Sequence, residues 1–226
     1  MVSVSIHSNA NDSDRSRHKP GLEAILSTVG LDICFTRGRG DSLFYQDHRG
    51  REVEVLDLVA GFGALLLGHN HPEITRAASE FITSGMANHT QGAVRGGARH
   101  LADALNQRVG GDRQVDYCSI FANSGAEAVE VSLKHAMLET GNGTFIALER
   151  AFHGKTLGAL QTNGNAFYRH PFWKRSPDVI RVNPDRVDDV KAAFDRIDDI
   201  AGFLFEPIQG EACLLYTSPS PRDIHH

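Results

Sequence analysis

Three short segments of this 226-residue sequence carry side chains whose types and spacing could do chemistry. The first is Asn123-Ser124-Gly125-Ala126-Glu127. Ser124 followed by Glu127 has the pattern of a capping box, so a helix is expected to start here. The first N–H groups of a helix have no partner within it, and the helix dipole favours negative charge beside them. Gly125 would let a ligand come close to the backbone. A phosphate cradle fits these residues, and so does plain capping with no ligand. The second segment is Arg150-Ala151-Phe152-His153-Gly154-Lys155-Thr156. An aromatic at the end of a strand can cover a flat ring by stacking; it can also be a core Phe in a tight loop. The third is Phe205-Glu206-Pro207-Ile208-Gln209-Gly210-Glu211. Acids there could tune the protonation of a cofactor or pair with arginine, or could simply form a solvated turn.

The periodicity between these segments predicts the elements that position them. From Asp116 strands alternate with helices: strands over 117–122, 144–148, 179–182 and 201–205, helices over 126–140 and 187–197. Such alternation predicts an α/β domain with a mostly parallel sheet. In sheets of this kind ligands bind outside the carboxyl ends of the strands, where all three segments are expected. The helix over 126–140 has an apolar stripe at Ala126, Val129, Leu133 and Met137, with Glu130 and Lys134 paired on its wet side. Earlier in the chain a helix is expected over 21–30, a hairpin with strands at 43–45 and 53–59, a glycine-rich bend over 60–72, and helices over 72–83 and 97–109.

Composition excludes several classes. A net charge of −5 with scattered Lys and Arg gives no basic field for nucleic acid. Cys34, Cys118 and Cys213 lie far apart, with no metal-ligand spacing and no disulfide framework. No apolar run reaches membrane-spanning length, so neither membrane nor secretion is expected, and the location expected is cytoplasmic. His69-Asn70-His71-Pro72 reads as a helix-entry turn rather than a metal site, and Arg39-Gly40-Asp41 as a turn. Asn11, Asn88 and Asn142 open glycosylation-like triplets that read as chance.

The segments LVAGFGALLLGHNHPEI, FANSGAEAVEVSLKHA, AFHGKTLGAL and FEPIQGEA stand in the order and rough spacing of class-III, pyridoxal-phosphate-dependent aminotransferases. The likeness runs from about Phe35 to Ala212. The resemblance implies fold type I, with a truncated large domain built on a mostly parallel sheet plus the N-terminal part of the small domain. On that basis the chain divides into a disordered lead-in over 1–20, an N-terminal segment with helix and hairpin over 21–60, and the first half of the cofactor-binding domain over 61–213.

The resemblance also implies roles. Ser124, Gly125 and Ala126 would hold the phosphate of pyridoxal 5'-phosphate. Phe152 would stack on its ring, with His153 next to it. Glu206 would join the hydrogen-bond network around the ring. Phe62, Lys155 and Glu211 would face the substrate, Glu211 as the partner of a gating arginine. Relatives acting on ornithine or acetylornithine usually carry Arg where this sequence has Lys155. An ammonium cannot fork onto a carboxylate as a guanidinium does, which points towards terminal amines as donors. The implied reaction moves an amino group from an amine or amino acid to a keto or aldehyde acceptor, in a homodimer with sites at the subunit interface.

The same resemblance places the Schiff-base lysine, and the Asp that holds the pyridine nitrogen, in a second half that is not expected after Ala212. No catalytic lysine is therefore assigned, and the chain as written is expected to be inactive. Other chemistry on this fold (aminomutase, decarboxylase, epimerase) and a catalytically dead binding protein stay open as alternatives. Residues 214–226 switch abruptly to Ser, Pro and charge, and LLYTSPSPRD resembles translated sequencing adapter, so a non-native tail is expected there.

Overall fold

The computed structural model describes residues 19–87, 90, 92–110, 117–172 and 178–211. The expectations for the tail and, apart from Lys19 and Pro20, for the lead-in lie outside these residues, as do Asn11, Asn88 and Cys213. Two compact units result, Met1–Gln91 and Gly92–His226.

In the first unit, helix α1 (Pro20–Thr28) starts on a proline, whose fixed φ suits a first turn and whose missing N–H costs nothing there. Strands β1 (Arg37–Arg39), β2 (Ser42–Gln46) and β3 (Glu52–Leu56) form an antiparallel sheet in that order. Gly40 and Asp41 make the turn between β1 and β2, with Arg39 the last residue of β1. Asp47 organises the next turn by accepting from the amides of Arg49 and Arg51 at 2.8 and 2.9 Å.

β3 ends at Leu56, short of the expected Val59. The cause is Asp57, whose carboxylate accepts from the amides of Val59 and Ala60 at 2.9 and 3.0 Å and so turns the chain out of the strand. The same carboxylate lies 2.7 Å from His69 Nε2, and this bond leads the causes that hold Asp57 below the usual carboxylate range. His69 thus has a carboxylate partner that its local sequence does not reveal. His71 then precedes α2 (Pro72–Thr83), with Pro72 in its first turn, as the helix-entry reading expects. Phe62 lies between Asp57 and His69 with φ 56 and 98% of its surface exposed.

The second unit contains α3 (Gly96–Gly110), α4 (Gly125–Thr140), β4 (Thr144–Leu148), α5 (Leu157–Thr162), α6 (Ala166–Arg169) with a single 3-10 turn after it, β5 (Val179–Val182), α7 (Val187–Arg196) and β6 (Ile200–Leu204). β4 is the central strand of a parallel sheet ordered β5-β4-β6, and all five of its residues are buried. That is why it reads as an apolar run rather than an alternating one. Successive side chains still go to opposite faces. Phe145 packs with Leu133, Val129 and Ala136 of α4. Ile146 and Leu148 pack with Val182 of β5 and Ala193 of α7.

Three expectations are corrected here. Residues 117–122 form no strand. Their composition suits one, but a strand exists only as part of a ladder, and none of the described residues pairs with them. The inner stripe of α4 closes with Ala136, while Met137 is 41% exposed. Glu130 does not form the expected ion pair with Lys134; its carboxylate is engaged elsewhere, as described below.

Gly164 marks the tightest backbone crossing of this unit. Its amide donates to the Ala151 carbonyl at 2.7 Å, and a Cβ at this position would stand 2.0 Å from the Arg150 nitrogen. Backbone cannot swing aside as a side chain tip can. Gly164→Ala is therefore expected to destabilise the chain by about 1–3 kcal/mol or more, read as a lower urea midpoint at unchanged slope; an unchanged midpoint would contradict the close crossing.

Candidate cofactor site

Helix α4 begins as its sequence predicts. Ser124 is the N-cap, extended at φ −150 and ψ 160, and its hydroxyl oxygen accepts from the Glu127 amide at 3.2 Å. Glu127 reaches back to the Asn123 amide at 2.7 Å, one residue earlier than in the usual capping box. The two bonds serve Asn123 and Glu127. The amides of Gly125 and Ala126 have no acceptor among the described residues, and beyond its chain neighbours and its own helix backbone no atom lies within 4 Å of where a Gly125 Cβ would stand. Such a helix start is suited to an anion by its free donors, its dipole and its open space.

The segment from Arg150 to Thr156 leaves the end of β4 and folds over this helix start. Arg150 takes a left-handed φ of 65. Gly154, at φ 129, lies so close to α4 that a Cβ there would stand 2.6 Å from the Ala126 Cβ. The segment is held by side chains from elsewhere. The Phe152 amide donates to Glu206 Oε2 at 2.9 Å. The His153 amide donates to Asn163 Oδ1 at 2.7 Å, and Asn163 Nδ2 donates to the Gly154 carbonyl at 2.8 Å. Asn163 is completely buried.

The side chains of this segment are placed unequally. Phe152 is half-buried. The Lys155 ammonium lies 4.5 Å from the Tyr168 ring centre and 5.7 Å from that of Phe152, at cation–π distances. His153 is half-buried, and its Nε2 is shut away from solvent without a hydrogen-bond partner. Burial pushes its pKa below the ordinary imidazole value, and the charge of Glu206 pulls weakly the other way. The ring is therefore neutral at neutral pH. Glu211 is exposed, at the rim of a shallow hollow of about 320 Å³ shared with Arg150, Gly164, Asn165 and Tyr168.

The structure thus brings Ser124, Gly125, Ala126, Phe152, His153 and Glu206 into one connected region. Lys155 stands at its edge, Glu211 lies by the hollow, and Phe62 belongs to the first unit. Two of the three segments follow strands of the parallel sheet, β4 and β6. The first follows residues 117–122, which are not a strand. Asn163 and Glu130 are missed by sequence reasoning. The Asn163-Gly164 dipeptide is a turn signal that could have drawn attention to the first. No group of three or more metal-ligating side chains is found among the described residues.

Because Glu206 raises the His153 pKa against the effect of burial, Glu206→Gln is expected to lower it further. A pH titration of the His153 ring protons by NMR checks this; an upward shift would show that the two side chains do not face each other.

The family model described as aminotransferase class-III matches residues 27–221. The acetylornithine aminotransferase of Methanopyrus kandleri is 37% identical over 76% of this chain and 42% of its own length. That of Methanosarcina mazei is 33% identical over 83% of this chain and 45% of its own. The chain spans less than half the length of these relatives. Among solved structures, the ornithine aminotransferase of Toxoplasma gondii ME49 superposes with a TM-score of 0.70 at 21% identity, covering 90% of this chain and 48% of that one. The PLP-bound amine transaminase of an uncultivated Pseudomonas species gives 0.66 at 20% identity, covering 90% and 49%. These likenesses show a shared fold, and the family match, covering most of the sequence, shows that this chain belongs to the class-III aminotransferases.

Proposed function

We propose that this chain supplies the cofactor-binding portion of an aminotransferase that uses pyridoxal phosphate. The enzyme would move an amino group from an amine or amino acid to a keto or aldehyde acceptor. One observation carries the reading beyond family membership: the start of α4 keeps two amides free beside open space, and the segment bearing Phe152 and His153 is packed onto that start through Gly154.

The residues present fit the cofactor. Gly125 and Ala126 amides would donate to its phosphate. The Ser124 oxygen already accepts from Glu127, which leaves its own O–H proton to donate to a phosphate oxygen. Phe152 would cover the ring. His153, neutral, would stand beside the ring without adding charge. Glu206, fixed by the Phe152 amide, would bring a carboxylate to the same region. The cofactor itself supplies an aldehyde that takes up the amino group and a ring that draws charge from the reacting carbon.

Lys155 is the one lysine in the strand-end segments among the described residues, and its ammonium is turned towards the Tyr168 and Phe152 rings. We therefore read it as a substrate-side group and not as the lysine that carries the cofactor; the latter is sought in the part of the relatives' length that this chain does not span. Glu211 as an acid for a substrate-gating arginine, Phe62 as an apolar wall and a homodimeric working form all rest on the resemblance.

Two outcomes test the reading. Gly125→Asp puts charge and bulk at the anion site and should weaken pyridoxal phosphate binding roughly tenfold or more, measured by fluorescence titration; unchanged affinity would remove α4 from the phosphate site. In the complete enzyme, terminal amines should surpass α-amino acids as donors, because Lys155 cannot form a bidentate carboxylate clamp. A donor screen in which ornithine or acetylornithine gave the highest kcat/KM would refute that preference.

A further inference from the structure

Helix α5 has six residues and could not persist alone. Its N-cap residue, Thr156, makes no capping bond to the amides of its first turn. Two of those amides are satisfied from another helix. Glu130, on the second turn of α4, accepts from the Gly158 amide at 2.7 Å and the Ala159 amide at 3.0 Å through one carboxylate oxygen. Burial acts to raise the Glu130 pKa, but bonds from the Thr156 side chain and from the Ala159 and Gly158 amides, with the charge of Lys134, outweigh it. The group is therefore a carboxylate at neutral pH, placed where a helix dipole favours one.

The consequence lies between the two helices. α4 offers its free amides at Gly125 and Ala126 and grips α5 by Glu130. The stretch from Phe152 to Thr156 is strung between these points. Gly154 is wedged there, with its Cβ position 2.6 Å from the Ala126 Cβ and 3.3 Å from that of Ala159. Fixing Ala159 therefore fixes how closely the segment lies on the helix start.

We propose that Glu130 is a positioning residue for the cofactor site: by capping α5 from α4, it holds Phe152 and His153 in place over the α4 N-terminus. The proposal rests on reading that N-terminus as the phosphate site. Glu130 touches no reacting atom, so it acts through the segment alone.

Three variants of the full chain separate the possibilities: Glu130→Ala, Glu130→Gln and Gly158→Ala. The last is informative because alanine favours a helix over glycine, yet its Cβ would stand 2.4 Å from Glu130 Oε2 and push the carboxylate off the amides. Backbone amide exchange over residues 152–159 is measured without ligand, and pyridoxal phosphate affinity by fluorescence titration. Glu130→Ala should speed exchange at Gly158 and Ala159 about tenfold or more and weaken affinity by a similar factor, since a charged acceptor of two hydrogen bonds is lost. Gly158→Ala should do the same despite its better helix propensity. Glu130→Gln keeps an accepting oxygen and should restore both readouts to within a few-fold. Unchanged exchange in Glu130→Ala, faster exchange with unchanged affinity, or Gln behaving like Ala would each overturn the proposal. If the wild-type chain binds no pyridoxal phosphate, the reading of the site fails, and the exchange measurements still decide whether Glu130 orders the segment.

Discussion

Beyond Leu148 the chain has left β4, and no neighbouring strand remains to take up the amides of the segment that carries Phe152 and His153. A buried amide without an acceptor costs about 1–3 kcal/mol; the Ala151 amide turns back to the Leu148 carbonyl, and those that follow it at Phe152 and His153 are met by side chains. Glu206 meets Phe152, Asn163 meets His153, and Glu130 meets the helix start that follows. Much else in the second unit follows from this need. Asn163 is buried because it must stand behind the segment, and Gly154 and Gly164 lack side chains because backbone passes there at contact distance.

The acceptors come from three places around the sheet: the second turn of α4, the end of α5 and the turn after β6. Each bond ties a side chain of one element to backbone of another. The arrangement leaves the α4 amides of Gly125 and Ala126 outside the network, because Ser124 and Glu127 spend their capacity on each other's neighbourhood. Free donors at one helix start thus coexist with two served donors, Gly158 and Ala159, at the next.

Where a signal is local, the sequence carries it. β4 and β5 fall where an apolar run and a β-branched run place them, and α4 starts and stops on its Ser124 cap and on Gly141, which takes the left-handed conformation. Where the signal depends on a distant partner, it is lost. Glu130 and Lys134 have ideal spacing for an ion pair, but two amides of α5 compete for the carboxylate and win. α5 itself is a short apolar stretch whose cap lies on another helix, so neither its period nor its ends announce it. Residues 117–122 show the reverse case, with strand-forming side chains and no ladder to join. Ser124 and Glu206 stand out because they lie just beyond element boundaries next to glycine or proline, and Phe152 because it lies in the loop after a strand, close to Gly154. Asn163 shows only the turn signal of Asn163-Gly164, because its partner lies ten residues away.

The distances in sequence over which the segment is held set the order in which it can form. Asn163 reaches back 10 residues, Glu130 reaches forward 28 and 29, and Glu206 reaches back 54. Closing longer loops demands more chain entropy, and contacts of high sequence separation are made late. The α5 cap can close once α4 and β4 are in place, whereas the Phe152 amide must wait until β6 has docked beside β4 and delivered Glu206. On the separations alone, the His153 amide is expected to be clamped before that of Phe152. The tie expected last is the one to the Phe152 amide, so the ring beside it would be the last part of the segment to be fixed on an already buried sheet.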